Sequence, residues 1–192
     1  MPQESKTQNG DQSTLQEAIT LGGGCFWCTE AIFSQVRGVE KTEVGYMGGH
    51  VTNPSYAQVT TGLTGHAEVV QVTFNPRIIS VREILEIFFA THDPTTLNRQ
   101  GADVGPQYRS VIFYHNPSQN TIAEEMITTL QNNNTWKNPI VTQVEPLSTF
   151  YTAEPYHQEY FQKNPEKAYC QLVIAPKYNK FKAQFKSKIT AD

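Results

Sequence analysis

The sequence predicts an α+β domain: a two-layer sandwich of a mixed β-sheet with helices packed over it, interrupted by long irregular loops. Three observations lead there. Stretches that alternate apolar and polar residues, the period of a half-buried strand, are interleaved with stretches of helical period. The strands outnumber those of a simple βαβ alternation, so several sheet neighbours are expected to be antiparallel. The connections concentrate Gly, Pro, Asn and Asp, which supply turn conformations.

Taken in order, Ala18-Ile19-Thr20-Leu21 reads as a first strand, running through Gly22-Gly23-Gly24 into a helix expected from Phe26 to Val36 and ended by Arg37-Gly38. Val39 to Tyr46 alternates as a strand, the stretch 47–56 is a loop with two glycines and an Asn-Pro, and Ala57 to Thr61 is a helical turn. Glu68 to Phe74 is a strand closed by Asn75-Pro76. Ser80 then caps a helix to Thr91, with Glu83 at the capping-box position and Ile84, Leu85, Ile87 and Phe88 on its apolar face. The loop 92–108 is too long to be a mere connection and is read as functional. Beyond it come a strand from Arg109 to His115, a helix from Asn116-Pro117-Ser118 to Asn132 and a strand from Ile140 to Pro146. The aromatic stretch Phe150 to Asn164 carries a helix from Glu154 or Pro155. A short strand, Gln171 to Ala175, and a basic helix, Lys177 to Lys188, close the chain.

The 192 residues suffice for one domain with a substantial core. No repeat or linker divides them, so 17–192 is read as a single domain and the polar stretch 1–16 as a flexible extension. A net charge of −3 leaves no electrostatic footprint for nucleic acid. No apolar run approaches the roughly 18 residues that span a membrane, and Met1 to Gln16 lacks the apolar centre of a secretory signal. Three cysteines is an odd count and too few for a disulfide framework. The expectation is a monomer in the reducing cytoplasm, any disulfide being transient.

Chemistry concentrates where three glycines run into Cys25-Phe26-Trp27-Cys28. A cysteine at a strand-to-helix junction faces unpaired N–H groups and the positive end of the helix dipole, which favours the reactive thiolate. Cys25 and Cys28 form a CxxC on the first helical turn, a spacing suited to disulfide exchange. Zinc would want a second such pair, and the chain has neither another CxxC nor an HxxxH. Phe26 and Trp27 are either core or the walls of an apolar pocket. Glu68 opens a strand; partly buried, its pKa would rise and it would serve as a general acid. Tyr56, Tyr108 and Asp103 sit in loops or at loop junctions and carry no signal singly. The CxxC alone also suits a thioredoxin-like oxidoreductase or a non-enzymatic redox switch.

The loops gain meaning together. Gly24-Cys25-Phe26-Trp27, Gly45-Tyr46-Met47-Gly48-Gly49, Asn53-Pro54-Ser55-Tyr56, Gly65-His66-Ala67-Glu68 and His92-Asp93-Pro94-Thr95-Thr96 follow one another, then Asn98 to Asp103, Gln107-Tyr108-Arg109-Ser110, Ala153 to Gln158 and Lys163-Asn164-Pro165. This set closely resembles the peptide-methionine (S)-S-oxide reductases, the A-type methionine sulfoxide reductases, over residues 19 to 188. The expected core is ferredoxin-like. The resemblance implies that Cys25 attacks the sulfoxide sulfur and is left as a sulfenic acid. It implies that Phe26 and Trp27 hold the S-methyl group, that Glu68 protonates the sulfoxide oxygen and that Tyr56 and Tyr108 hydrogen-bond it. Asp103 would orient the substrate backbone or a water, and His157 would contact substrate. Substrates are proteins or peptides containing the S epimer of methionine sulfoxide. A second thiol resolves the sulfenic acid: Cys28 is the preferred reading because many relatives have Gly there and a cysteine in a glycine-rich tail, whereas this chain has Cys28 and no such tail; Cys170 is the alternative. Thioredoxin would recycle the disulfide, and no bound cofactor or metal is implied.

Overall fold

Strand β1 (Glu17–Gly23) lies inside a six-stranded sheet of order β7-β6-β1-β3-β2-β8 in the computed structural model, which describes residues 15–190. The flexible extension expected at 1–16 lies, up to residue 14, outside the described residues. β2 is Val39–Met47, β3 Ala67–Phe74, β6 Ser110–Tyr114, β7 Gln143–Pro146 and β8 Tyr151–Thr152. All pairs in this sheet are antiparallel except β6 with β7, which run parallel and are joined by a helical crossover, α4 (Pro117–Asn132). The architecture is mixed α+β.

The period-2 alternation places two apolar faces on the sheet. Ile19, Leu21, Val44, Val70, Val72 and Ile112 belong to the main core, which α1 (Phe26–Phe33) and α3 (Val81–Ala90) complete with Phe33, Ile84, Leu85 and Phe88. Met47, Ala67, Val69, Val111 and Phe113 form a second cluster, with Phe150 against it. α3 starts as its sequence predicts: the Ser80 hydroxyl accepts the Glu83 N–H at 3.1 Å. α2 (Tyr56–Thr60) has a complete capping box between Ser55 and Gln58.

The long loop is ordered by its own side chains. The Gln100 amide accepts the Asp93 N–H at 3.0 Å and donates to the Asp93 carbonyl at 2.9 Å, while the Asp93 carboxylate accepts the Thr95 N–H at 2.9 Å. Inside it, β4 (Arg99–Gln100) and β5 (Asp103–Val104) pair as a small hairpin, followed by a 3₁₀ turn at Pro106–Tyr108. Neither element is evident in the sequence.

Further elements differ from expectation. α1 ends at Phe33 rather than Val36, and β7 starts at Gln143 rather than Ile140. The expected helix from 154 or 155 is a 3₁₀ turn, Pro155–His157, separated from α5 (Tyr160–Lys163) by Glu159 in the left-handed region (φ 54°). Gln171 to Ala175 is no strand: Cys170–Ile174 is a π-helical turn that feeds α6 (Ala175–Gln184). Only Cys170 and Ile174 are buried there, with Leu172 and Val173 exposed. Burial at i and i+4 suits a helix, and a strand would have buried alternate residues.

Gly49 brings the loop after β2 against the one before β3. A Cβ there would run into the backbones of Thr64 and His66. Gly49→Ala is expected to lower stability by about 1–3 kcal/mol in urea denaturation; a midpoint equal to that of the parent chain would contradict this packing.

Candidate active site

The site begins with an unusual helix start. Cys25 is the N-cap residue of α1, and its side chain caps nothing. The first free donor, the Phe26 N–H, instead reaches a carboxylate oxygen from the next strand, Glu68 Oε1, at 3.2 Å. Glu68 is 1% exposed, and its other oxygen, Oε2, is buried without a partner. Burial raises its pKa to about 8, with the Phe26 N–H opposing. At neutral pH the carboxyl therefore holds a proton next to the thiols. The approach to Cys25 needs Gly24, which has φ +94° and whose Cβ would lie 2.6 Å from the Gln100 side chain.

Cys25, Cys28 and Cys170 are all reduced, all buried, and share one cluster with Ala31 and Ile174. The helix start does not make Cys25 the thiolate. Burial pushes its thiol up, reinforced by its hydrogen bond to Cys28 and the nearby Glu68 charge. Cys28 shifts the other way, held down by the hydrogen bond from Cys25 and, against burial, by the Lys177 charge and the Tyr169 hydroxyl. Of the two thiols, Cys28 is therefore the one that ionises more readily. Cys170 is fully enclosed, and burial raises its thiol.

An aromatic cage stands beside the thiols. Phe26 is in the core at 1% exposure, its ring 5.1 Å from His157, 5.8 Å from Tyr46 and 6.4 Å from Tyr56. Trp27 is half-buried, stacked on Tyr160 at 3.8 Å and meeting Tyr169 edge-on at 5.7 Å. Its indole N–H donates to His157 Nδ1 at 3.0 Å; this assigns the proton of a neutral His157 to Nε2, which is buried and unpartnered. Glu154 fixes the cage from below, accepting the Tyr46 hydroxyl and the Tyr56 N–H, each at 3.0 Å.

Tyr56 and Tyr108 both have hydroxyls pushed well above the ordinary tyrosine range, first by burial and then by the Glu68 charge, so both lie within electrostatic reach of that carboxyl. Asp103, set by the β4–β5 hairpin, accepts the Tyr169 hydroxyl at 2.9 Å. Every site residue named from the sequence is thus drawn into one neighbourhood.

Sequence reasoning missed the supports. Glu154 and Gln158 lie in the quoted stretch 153–158; the Gln158 amide pairs with both backbone groups of Val44, at 3.0 and 2.9 Å, as a strand would. Glu30, 2% exposed, accepts the Glu159 N–H at 2.6 Å, and burial raises its pKa to about 7. His92 is buried between the Phe88 carbonyl (2.5 Å) and the Ser110 hydroxyl (2.8 Å), and burial keeps it neutral with a pKa of about 4. Tyr169 and Lys177 carried no sequence signal.

Paired thiols that can end as a disulfide, beside an acid able to hand over a proton, define a thiol-dependent reductase. Residues 17–189 match the family described as Peptide methionine sulfoxide reductase, and the chain belongs to that family: it is an oxidoreductase acting on methionine sulfoxide. A peptide methionine sulfoxide reductase MsrA of Trichodesmium erythraeum is 55% identical over 177 residues, 92% of this chain and 100% of that one. Among solved structures, Mxr1 from Saccharomyces cerevisiae in reduced form superposes with a TM-score of 0.74 at 39% identity, covering 86% of this chain and 94% of that one. Mxr1 in complex with Trx2 superposes at 0.53 and 29% identity, over 81% and 91%. Among the described residues, no helix is long and apolar enough to cross a membrane, and no group of three or more His, Cys, Asp or Glu is placed to hold a metal ion.

Glu68 and Glu30 bind their protons more tightly folded than unfolded. The stability they lend is complete below their ordinary value of 4.5 and is lost as pH rises to about 8 for Glu68 and about 7 for Glu30. His92 acts oppositely, its contribution being lost as pH falls from 6.5 to about 4. In urea denaturation at a series of pH values, the stability of the parent chain relative to Glu68→Gln is expected to fall steadily between 4.5 and about 8. Parallel profiles would show an ordinary carboxylate.

Proposed function

We propose that the chain reduces the S epimer of methionine sulfoxide, with Cys25 as nucleophile and Glu68 as acid. The observation that carries this is the Glu68 carboxyl: one oxygen tied to the Phe26 N–H at 3.2 Å, the other buried and unpartnered beside Cys25. Such a group is a proton donor awaiting an oxygen.

In the reacting form one proton lies between Cys25 and Cys28, and a second sits on Glu68. Cys25 sulfur attacks the sulfoxide sulfur as its proton passes to Cys28, while Glu68 protonates the sulfoxide oxygen. That oxygen moves to Cys25. Methionine leaves, and the products are the Cys25 sulfenic acid, a Cys28 thiol and an ionised Glu68. Sulfoxide sulfur gains the two electrons that Cys25 loses. Cys28 then attacks the Cys25 sulfur, the S–O bond breaks, and the oxygen departs as water with the Cys28 proton. Tyr56 and Tyr108 hold the oxygen, Phe26 and Trp27 floor and wall the methyl subsite, and Asp103 and His157 Nε2–H orient the peptide. Fixed positions for methyl and oxygen admit one epimer.

The Cys25–Cys28 disulfide is reopened by thioredoxin, a reading supported by the relative solved with Trx2. Cys28 is preferred over Cys170 as resolving thiol because it lies one helical turn from Cys25 in the same buried cluster and its thiol is shifted down whereas that of Cys170 is shifted up. Protein repair by a monomeric single domain of residues 17–192 in the cytoplasm completes the proposal. The order β6-β1-β3-β2 in a βαββαβ chain supports a ferredoxin-like core in a two-layer arrangement.

Turnover measured as methionine released from peptides of separated epimers is expected for the S epimer only. Cys25→Ser should abolish it, and Glu68→Gln should lower it by about 100-fold or more. Comparable rates on both epimers would contradict the proposed pocket.

A further inference from the structure

Cys28 does not face only the substrate side. With Gly23, Thr29, Ile32, Phe88, Thr91, His92 and Lys177 it lines a cavity of about 10 Å³ behind α1, enough for about one water. Lys177 and His92 continue from there into the wall of an open cleft of about 240 Å³ that includes Asp93, Gln100 and Lys180. Lys177 stands in the first turn of α6, half-buried, and among the described residues no carboxylate lies within ion-pairing distance of it. The cation is thus brought to the back of a buried sulfur with no acidic partner of its own.

We propose that Lys177, facing Cys28 across this cavity, is the positioning residue that stabilises the charge Cys28 takes on as it gives up its proton, making Cys28 rather than Cys170 the thiol that closes on the Cys25 sulfenic acid. This rests on the sulfenic-acid reading above. The groups facing Cys28 are few. From α1 and its cap comes Cys25, on the same helical turn; from the residue before the π-helical turn comes the Tyr169 hydroxyl, and from the turn itself Cys170. From β5 comes Asp103, whose charge opposes that on Cys28, and from β3 comes Glu68, which holds its proton at neutral pH. His92, after α3, is neutral. Lys177 is the one cation among them, and it favours the charged sulfur. Cys170 lacks such help: burial, the Cys28 charge and Glu166 raise its thiol against Lys167. The same charge makes Cys28 the better leaving thiol when an external dithiol attacks Cys25 sulfur. The S–S bond breaks, Cys28 departs as thiolate, and the second external thiol then frees Cys25 by displacing the mixed disulfide.

The test is a single turnover without reductant, using an S-sulfoxide peptide and the full chain as parent, Lys177→Met, Lys177→Arg and Cys28→Ser. Methionine is quantified alongside the disulfide, which is identified by peptide mapping, over a range of pH. In Lys177→Met, one equivalent of methionine should still be released, but Cys25–Cys28 closure should slow by about tenfold with its pH midpoint moved up; Arg should restore most of both. Thiolate ultraviolet absorbance followed across pH supplies an independent reading: the parent should form a thiolate below the ordinary cysteine range, lost in Cys28→Ser and moved up in pH in Lys177→Met. Closure at the parental rate and pH midpoint in Lys177→Met would overturn the role of Lys177, as would a Cys25–Cys170 link as first product of the parent or a parent whose thiols all ionise in or above the ordinary cysteine range. A parent that releases no methionine would instead overturn the sulfenic-acid reading, and this proposal with it.

Discussion

The structure depends on one hydrogen bond, from the Phe26 N–H to Glu68 Oε1. A helix start leaves backbone donors without partners, and a side chain of the cap residue usually satisfies one. Here the cap residue is the proposed nucleophile and the partner is a carboxyl from a neighbouring strand. That exchange leaves the Cys25 sulfur free for chemistry and fixes the acid beside it. Burial in the same place keeps Glu68 from water, which is why the carboxyl holds its proton to about pH 8 even against that N–H.

Sheet topology makes the contact possible. β3 lies between β1 and β2, so Glu68 at its start has Tyr46 opposite it on one side and the glycine end of β1 on the other. The third wall comes from far along the chain. Glu154 and Gln158 tie the segment after β8 to Tyr46, Tyr56 and Val44, and Glu30 holds the Glu159 N–H, setting His157 and Tyr160 against Trp27. A buried carboxyl thus appears twice, Glu68 as the proposed acid and Glu30 as an anchor.

Much of this was legible in residue types. The strand-to-helix junction, the capped α3 and the alternating β3 follow from local periodicity and capping chemistry, and the motif order gathers Cys25, Tyr56, Glu68, Asp103, Tyr108 and His157. What escaped depends on tertiary surroundings. Gln171 to Ala175 is β-branched and apolar enough for a strand, yet Cys170 and Ile174 alone find a core to enter, and the chain turns helical. The electrostatics of Cys25 escaped for a similar reason: its helix start is visible in sequence, whereas the burial and the Cys28 hydrogen bond that outweigh it are not. Lys177 reads as one more lysine of a basic helix until α6 is packed behind Cys28.

The central claim is that Glu68 is a protonated carboxyl in the resting enzyme. Infrared difference spectra of the parent chain against Glu68→Gln, recorded across pH, address it without substrate. A protonated-carboxyl C=O band assigned to Glu68 at neutral pH, disappearing with a midpoint near 8, is the result this account predicts. A difference spectrum carrying only the ionised carboxylate at neutral pH would contradict it.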